Sequence, residues 1–201
     1  PLLVHTSLSK AERQEQVEET LHLVGLLQGA GQRYAHEFSG GQRQRVGIAR
    51  ALIMNPQCIV CDEPISALDV SIQVQIVSLL ERIQEERNLS YLFISHDLNM
   101  VRYLSQRIAV MYLGTVVEEG PVVDLSTQPL HPYTQALWAL NGPLAPKAPF
   151  GPVLRGEVPT PLDPPEGCLF HTRCSRVTER CRQERPSLVQ LGNRKVACHY
   201  I

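Results

Sequence analysis

The chain has 201 residues, of which 43% are hydrophobic and 19% charged, and its formal net charge is −1. This composition allows one substantial core with a smaller appendage, and the near-zero charge argues against nucleic acid or an anionic bilayer as a general partner. No apolar run approaches the roughly 20 residues of a membrane-spanning helix, and the N-terminal sequence PLLVHTSLSK lacks the regions of a secretory signal, so we expect a cytosolic chain that docks at most on a membrane protein.

Two helices are predicted in the first quarter of the chain. The first covers about residues 10–27, because Ser9-Lys-Ala-Glu12 has the spacing of a capping box and apolar residues follow at helical intervals. The second begins within EFSGGQRQR, residues 37–45, and Asn55-Pro56 ends it. Two glycines therefore stand at a helix N-terminus.

A strand, helix, strand unit follows. Cys58-Ile-Val-Cys61 is a short apolar run typical of a strand buried on both faces, and the carboxylates Asp62 and Glu63 end it. After a helix, the predicted strand 91–94 leads directly to His96. Parallel strands would place Asp62, Glu63 and His96 at the same edge of one sheet, where open α/β sheets bind their ligands.

The remaining predicted elements continue a layered α/β pattern with a mainly parallel sheet. They are a helix near 97–105, a strand at 108–112, a strand at 115–118 after the Gly114 turn, and a helix at about 132–140, whereas the helix of the preceding unit lies at about 71–87. Residues 142–166 then hold eight of the 15 prolines, a composition that favours an extended connector.

Four short motifs resemble those of ATP-binding-cassette (ABC) ATPases, in the order of that family. SGGQ at 39–42 resembles the signature motif, CIVCDE at 58–63 the Walker B strand, SALD at 66–69 the D-loop, and SHD at 95–97 the H-loop. One motif alone would be a weak signal, but four at family-like spacing favour this interpretation. The resemblance implies an α/β fold like that of the P-loop NTPases, with a small cysteine-rich C-terminal extension.

The signature residues have a physical reason to bind phosphate. Gly40 and Gly41 lack Cβ atoms, so an anion can approach the backbone, where N–H groups and a helix dipole of about +0.5 charge attract it. Ser39 adds a hydroxyl donor. The resemblance implies that Ser39, Gly40, Gly41 and Gln42 close over the γ-phosphate of ATP held by a second subunit.

The acidic residues after the first strand suit two different tasks. Asp62 can hold Mg²⁺ directly or through water, and Glu63 can polarise the attacking water as general base. The resemblance implies that His96 contacts the γ-phosphate and that Asp69 bridges to the other subunit. The plain alternatives are a charged strand end for the two carboxylates and a surface loop for His96.

Cys58 and Cys61 have the C-x-x-C spacing of a redox or zinc motif. Strand residues three apart point to opposite faces, so we interpret this pair as core packing.

Two elements that ABC-type phosphoryl transfer needs are not in the sequence: the loop G-x-x-x-x-G-K-[ST] and the Q-loop glutamine. In ABC proteins both precede the signature, and residue 1 here is proline rather than methionine. We therefore expect the C-terminal portion of a longer ATPase, inactive alone, whose partner is a second ABC ATPase subunit, identical or paralogous.

The region beyond the predicted core resembles the C-terminal extension of the oligopeptide and dipeptide importer ATPases. PLHPYTQAL at 129–137, GEVP at 156–159 and GCLFHTRC at 167–174 carry the resemblance. Glutathione and nickel importers share this extension, so the cargo stays open.

The resemblance to these importer ATPases implies two kinds of partner, membrane permease subunits and an extracytoplasmic solute-binding protein that acts indirectly. It also implies a peripheral position on the cytoplasmic face of a bacterial inner membrane. The alternatives are a soluble ABC ATPase of DNA repair or translation, and a truncated module that binds a partner or a metal without turnover.

Four cysteines crowd the C-terminus: Cys168, Cys174, Cys181 and Cys198. A cytosolic setting disfavours disulfides, and four thiolates in a tail too small for its own core suit a metal, either tetrahedral Zn²⁺ or a [4Fe–4S] cluster. The spacing lacks tight C-x-x-C pairs, and the resemblance implies an iron–sulfur cluster, which we favour over zinc. Free thiols are the third possibility.

The predicted domains are therefore residues 1–57, part of the helical signature-bearing subdomain; 58–141, the core α/β ATPase portion; 142–166, the proline-rich linker; and 167–201, the four-cysteine extension.

Overall fold

The computed structural model describes residues 1–66, 68–141 and 156–201. The chain divides into two compact units, Pro1–His96 and Asp97–Ile201. Most of the predicted linker lies outside the described residues. Among those described, no helix is both long enough and apolar enough to cross a membrane.

The first unit contains four helices and two strands. They are α1 (Leu2–His5), α2 (Lys10–Leu23), α3 (Gly40–Leu52), β1 (Cys58–Asp62), α4 (Val70–Arg87) and β2 (Ser90–Ile94). β1 and β2 pair in parallel, in a register that runs from Cys58 opposite Ser90 to Asp62 opposite Ile94. The parallel strand, helix, strand unit predicted from the sequence is present.

Helix α2 begins where the sequence predicts. The Ser9 hydroxyl accepts from the Glu12 N–H at 3.3 Å, and the Glu12 carboxylate accepts from the Ser9 N–H at 2.6 Å. The helix ends at Leu23, four residues before the predicted end, because Gly25 adopts a left-handed conformation with φ 77°. A left-handed glycine is a common helix terminator, since it has no Cβ to clash.

The prediction that β1 is buried on both faces is wrong. Alternate residues of a strand share a face, and one face of the β1–β2 pair is open, with Val60 61% and Leu92 56% exposed. Cys58 lies on this open face and is exposed, whereas Cys61 is buried on the other. The two thiols do point to opposite faces, but the core-packing interpretation holds only for Cys61.

Burial raises the pKa of the Cys61 thiol to about 11. This thiol therefore stays protonated at neutral pH, as expected of a small core residue.

The second unit contains an antiparallel sheet with helices around it. Its elements are α5 (Leu98–Leu104), β3 (Arg107–Tyr112), β4 (Thr115–Pro121), α6 (Val122–Thr127), α7 (Pro132–Asn141), α8 (Glu179–Gln183), β5 (Val189–Leu191) and β6 (Arg194–Val196). The strand order is β3-β4-β6-β5. Leu113 and Gly114 are both left-handed, at φ 44° and 75°, so β3 and β4 join as a tight hairpin and must run antiparallel.

The cysteine-rich tail shares both sheet and core with the residues before it. Strand β6 pairs with β4, with Glu118 opposite Val196. One apolar cluster also unites the two segments; its buried members are Val101, Ile108, Val110, Tyr112, Val117, Leu125, Leu169 and Phe170. The tail therefore has the apolar support that its own short sequence could not supply.

Candidate active site at the carboxyl edge of the parallel strands

Glu63 and His96 meet at the carboxyl edge of β1 and β2. The Glu63 N–H donates to the Ile94 carbonyl at 3.0 Å, which continues the backbone hydrogen bonding between β1 and β2 by one residue. The Nδ1 atom of His96 lies 2.7 Å from Oε1 of Glu63. An ionised carboxylate only accepts, so the imidazole N–H is the donor in this bond. Both side chains are accessible, Glu63 at 39% and His96 at 77% exposure.

Asp62 belongs to the same edge but not to the same contact. It is the last residue of β1, opposite Ile94, and it is exposed. Glu63 follows with φ 46°, so the chain leaves the strand direction between the two carboxylates. The structure thus separates the two carboxylates, one exposed at the end of the strand and the other beside the histidine.

Asp69 has a structural task that the sequence analysis did not assign. Its Oδ1 atom accepts from the Ile72 N–H at 3.0 Å and from the Ser71 hydroxyl at 2.7 Å, so it caps the N-terminus of α4. The Ser71 hydroxyl, and then the Ile72 N–H, lowers the pKa of the Asp69 carboxyl. An aspartate directly before a helical apolar pattern is a known capping signal, so the sequence contained this information.

The signature residues Ser39 and Gln42 form a capping box at the start of α3. The Ser39 hydroxyl accepts from the Gln42 N–H at 3.3 Å, and the Gln42 side-chain oxygen accepts from the Ser39 N–H at 3.0 Å. The N–H groups of the first helical turn have no intrahelical acceptor, so the helix start presents donors to an approaching anion.

The two signature glycines have different surroundings. A Cβ on Gly41 would lie 2.7 Å from the Ile72 side chain of α4, whereas a Cβ on Gly40 would meet only Leu68, at 3.6 Å. Gly41 is therefore required for the packing of α3 on α4. Gly40 is exposed and is the glycine whose backbone an anion can approach. The sequence alone predicts the approach of an anion at both glycines.

Arginines near the signature hold the backbone of the first unit. Nε of Arg43 donates to the Phe38 carbonyl at 3.0 Å, and Arg45 donates to the Val24 carbonyl at 2.6 Å. Both cations fix the loop that leads into α3.

The four tail cysteines are free thiols in the structure. Burial raises the pKa of Cys168, Cys174 and Cys198, and neighbouring thiols raise each of them further. Among residues 1–66, 68–141 and 156–201, no group of three or more His, Cys, Asp or Glu is arranged to hold a metal ion. The arrangement of these residues therefore does not support the predicted iron–sulfur or zinc site, and the thiols would have to lose their protons to bind a metal.

A buried carboxylate organises the LHPYTQAL segment. Glu118 in β4 is fully buried and accepts from the N–H groups of Leu130 at 2.9 Å and His131 at 3.0 Å, just before α7 begins. His131 is 1% exposed, and burial lowers its pKa to about 4. Its Nδ1 atom accepts from the Tyr133 N–H at 3.1 Å, so the ring is a neutral acceptor there. The sequence does not reveal this cluster, because nothing local marks Glu118 as buried.

Solved structures of ATP-binding cassettes share this fold. One is a dimeric, post-hydrolysis state of the cassette MJ0796 bound to ADP and Pi, with TM-score 0.51 and 34% identity over 59% of this chain and 50% of that one. Another is the ADP conformation of MJ1267, a cassette of an ABC transporter, with TM-score 0.54 and 28% identity over 63% and 52% of the two chains. Residues 2–66 also match the family model of the ABC transporter. The chain is similar to ATP-binding cassettes in sequence and fold, and the predicted α/β fold of an ABC ATPase is confirmed.

The second half of the chain is similar to one group of ABC transporters. Residues 117–181 match the family model described as the oligopeptide/dipeptide transporter, C-terminal region. The chain is 50% identical over 202 residues to the di/tripeptide transport ATP-binding protein DppF of Pseudomonas aeruginosa, and 48% identical over 197 residues to the oligopeptide transport ATP-binding protein OppF of Escherichia coli. These alignments cover 100% and 96% of this chain but 62% and 59% of the relatives, so the chain spans about three fifths of their length.

Proposed function

We propose that the complete protein containing this chain is the ATP-binding and ATP-hydrolysing subunit of an ABC importer for peptides. The contact between Glu63 and His96, at the edge that follows the Walker B strand, carries the proposal. Oligopeptides or dipeptides are the proposed cargo because the similar proteins are named for their transport; nickel or glutathione is the alternative.

In this mechanism Glu63 is the general base. Its carboxylate is accessible, and the His96 N–H on one oxygen leaves the other oxygen to accept a proton from the attacking water. His96 holds the carboxylate in place, and its exposed ring lies at the same strand edge, where it would contact the γ-phosphate. Mg²⁺, when bound with ATP, supplies the positive charge that neutralises the phosphates, and Asp62 is the residue that would hold it.

The signature of this chain acts on ATP held by another subunit. The sequence contains Ser39, Gly40, Gly41 and Gln42 at a helix start but no phosphate-binding lysine loop. Backbone N–H groups at that start and the Gly40 backbone complete the phosphate site across a dimer, with Asp69 at the same interface. The dimeric form of the MJ0796 cassette supports this arrangement. The chain by itself should therefore be inactive.

The proposed partners are a second, paralogous ATPase subunit and membrane permease subunits, with a solute-binding protein acting through the permease. The location is the cytoplasmic face of a bacterial inner membrane. The bacterial relatives named as transport ATP-binding proteins support this assignment.

Reconstitution separates the importer from a soluble ABC ATPase. The complete subunit, its partner ATPase and the permease are placed in liposomes with the solute-binding protein on the opposite side of the membrane, and uptake of a labelled tripeptide is measured with ATP or with a non-hydrolysable analogue. We expect uptake only with ATP, and turnover that rises when permease is present. Turnover that is the same with and without permease, without uptake of tripeptide, nickel or glutathione, would support the soluble alternative.

We propose separately that the four tail thiols act together as ligands, of a [4Fe–4S] cluster in the first place and of Zn²⁺ as the alternative. The donor set supports this chemistry, because the Sγ atoms of Cys174 and Cys198 accept backbone N–H bonds at 3.3 and 3.4 Å, and such donors stabilise thiolates. Iron, sulfide and zinc are measured in anaerobically purified protein and in its Cys174→Ser variant. Four irons per chain that are lost in the variant would support the cluster, and one zinc per chain would support the alternative. If neither metal is found, the four thiols are free and the proposal is wrong.

A further inference from the structure

Glu63 has a backbone conformation that a glutamate rarely adopts. Its φ is 46°, in the left-handed region, where the Cβ of a non-glycine residue crowds the backbone. Such a conformation persists only where the surroundings hold it, and it is found preferentially at functional sites. The atoms that hold Glu63 therefore decide where its carboxylate lies.

Both polar atoms of the Glu63 backbone are bonded. Its N–H donates to the Ile94 carbonyl of β2 at 3.0 Å. Its carbonyl accepts from the Ser66 N–H at 3.4 Å and from the Ser66 hydroxyl at 3.2 Å. The hydroxyl is thus a side-chain contact on the backbone of the proposed base, made across the turn that follows β1.

Ser66 is suited to this task rather than to packing. Its side chain is exposed, so its removal leaves no cavity and no buried polar group. The loop beyond it is anchored independently, because the Gln73 side chain donates to the carbonyls of Ile65 and Leu68, both at 3.1 Å. Loss of the hydroxyl should therefore loosen Glu63 without unfolding the turn.

We propose that Ser66 is a positioning residue for Glu63. Its hydroxyl fixes the Glu63 carbonyl, which stabilises the left-handed backbone and keeps the carboxylate at the 2.7 Å contact with His96. The resemblance to the D-loop gave Asp69 a role in this segment but none to Ser66. This inference rests on the proposed function, in which Glu63 is the base.

The test is a double-mutant cycle in the complete subunit, assembled with its partner ATPase and permease. Turnover is measured for Ser66→Ala, Ser66→Thr, Glu63→Gln and the double variant Ser66→Ala with Glu63→Gln. Because Ser66→Ala removes a single hydrogen bond, we expect its kcat to fall by about three- to ten-fold. The KM for ATP should change less than about two-fold. Ser66→Thr retains the hydroxyl and should restore at least about half of kcat.

The cycle distinguishes positioning from a general structural effect. If Ser66 acts through Glu63, Ser66→Ala has no further effect on the residual single-turnover rate of Glu63→Gln. The exposed Ser78 on α4 supplies the matched control, Ser78→Ala, which should leave kcat and the melting temperature unchanged. Three results would each overturn the inference. The first is an equal loss of rate from Ser66→Ala in the parent and in Glu63→Gln. The others are a kcat of Ser66→Ala within about 1.5-fold of the parent, and a Ser66→Thr variant that does not restore kcat.

Failure of this inference is separable from failure of the proposed function. If Glu63→Gln keeps turnover within a few-fold of the parent, Glu63 is not the base and both ideas fall. If Glu63→Gln abolishes turnover while Ser66→Ala is silent, only the assignment of Ser66 falls.

Discussion

The imidazole Nδ1 of His96 lies 2.7 Å from the carboxylate of Glu63, 33 residues earlier in the chain. The register of two strands produces this contact. Asp62 ends β1 directly opposite Ile94 at the end of β2, so the segments that leave the two strands emerge side by side. A histidine and a carboxylate that are distant in sequence thereby become one hydrogen-bonded pair.

Replacement of His96 by alanine should lower turnover at least about ten-fold in the complete, assembled subunit, because Glu63 loses the donor that orients it. The KM for ATP should change less. His22, exposed on α2, provides the control variant His22→Ala, which should turn over like the parent. Equal rates for the two variants would remove His96 from the mechanism.

The signature glycines should separate into one folding residue and one functional residue. Gly41→Ala places a Cβ 2.7 Å from Ile72, and such overpacking costs about 1–3 kcal/mol, partly offset by up to about 1 kcal/mol of helix propensity. We expect a lower melting temperature for Gly41→Ala and an unchanged melting temperature for Gly40→Ala. In the complete subunit, Gly40→Ala should instead weaken ATP-dependent dimerisation, which gel filtration measures. Equal melting temperatures would contradict the packing assignment of Gly41.

Glu118 and Glu119 are sequence neighbours that allow a matched test of burial. Glu118→Gln turns an amide donor toward a backbone N–H in a buried position. This change should lower the free energy of unfolding by about 1–3 kcal/mol. Glu119 lies beside Arg107 and Lys195 at the surface, and Glu119→Gln should cost less than about 1 kcal/mol.

The chain's one tryptophan, Trp138 in α7, reports this unfolding by fluorescence in urea. Similar urea midpoints for Glu118→Gln and Glu119→Gln would show that Glu118 does not support α7 as described.

Burial of His131 should make the second unit sensitive to acid. Its pKa is about 4 in the folded chain and about 6.5 when unfolded, so the unfolded state binds more protons between these values. Stability should therefore fall as pH drops from about 6.5 to about 4, by up to about 3 kcal/mol, and level off below.

Urea midpoints followed at Trp138 across this range measure the effect of His131. His131→Asn should flatten the pH dependence, whereas His199→Asn, at a less buried histidine, should keep it. A parent-like slope in His131→Asn would assign the acid sensitivity to another group.

The features that could be predicted from the sequence are those set by neighbouring residues or by the order of the strands. The capping box at Ser9, the helix start at Ser39 and the meeting of Glu63 with His96 all depend on short motifs or on parallel pairing, which leave direct marks in the sequence. These features include the main residues of the candidate site.

The sequence could not predict contacts between distant elements. The need for glycine at position 41 depends on Ile72, and the burial of Glu118 depends on the backbone that leads into α7, beginning at Leu130, twelve residues later. The open face of β1 at Val60 was missed because an apolar strand has the same pattern whether one face or both are covered. The ligand geometry of four cysteines likewise depends on tertiary packing, which spacing does not encode.

The most direct test of the account is the turnover of the complete subunit carrying Glu63→Gln, assembled with its partner ATPase and permease. Glutamine keeps the size of the side chain but cannot accept the proton, so we expect ATP binding and ATP-dependent dimerisation to persist while turnover falls about one hundred-fold or more. Turnover within a few-fold of the parent, with the same assembly, would contradict the assignment of Glu63 as general base.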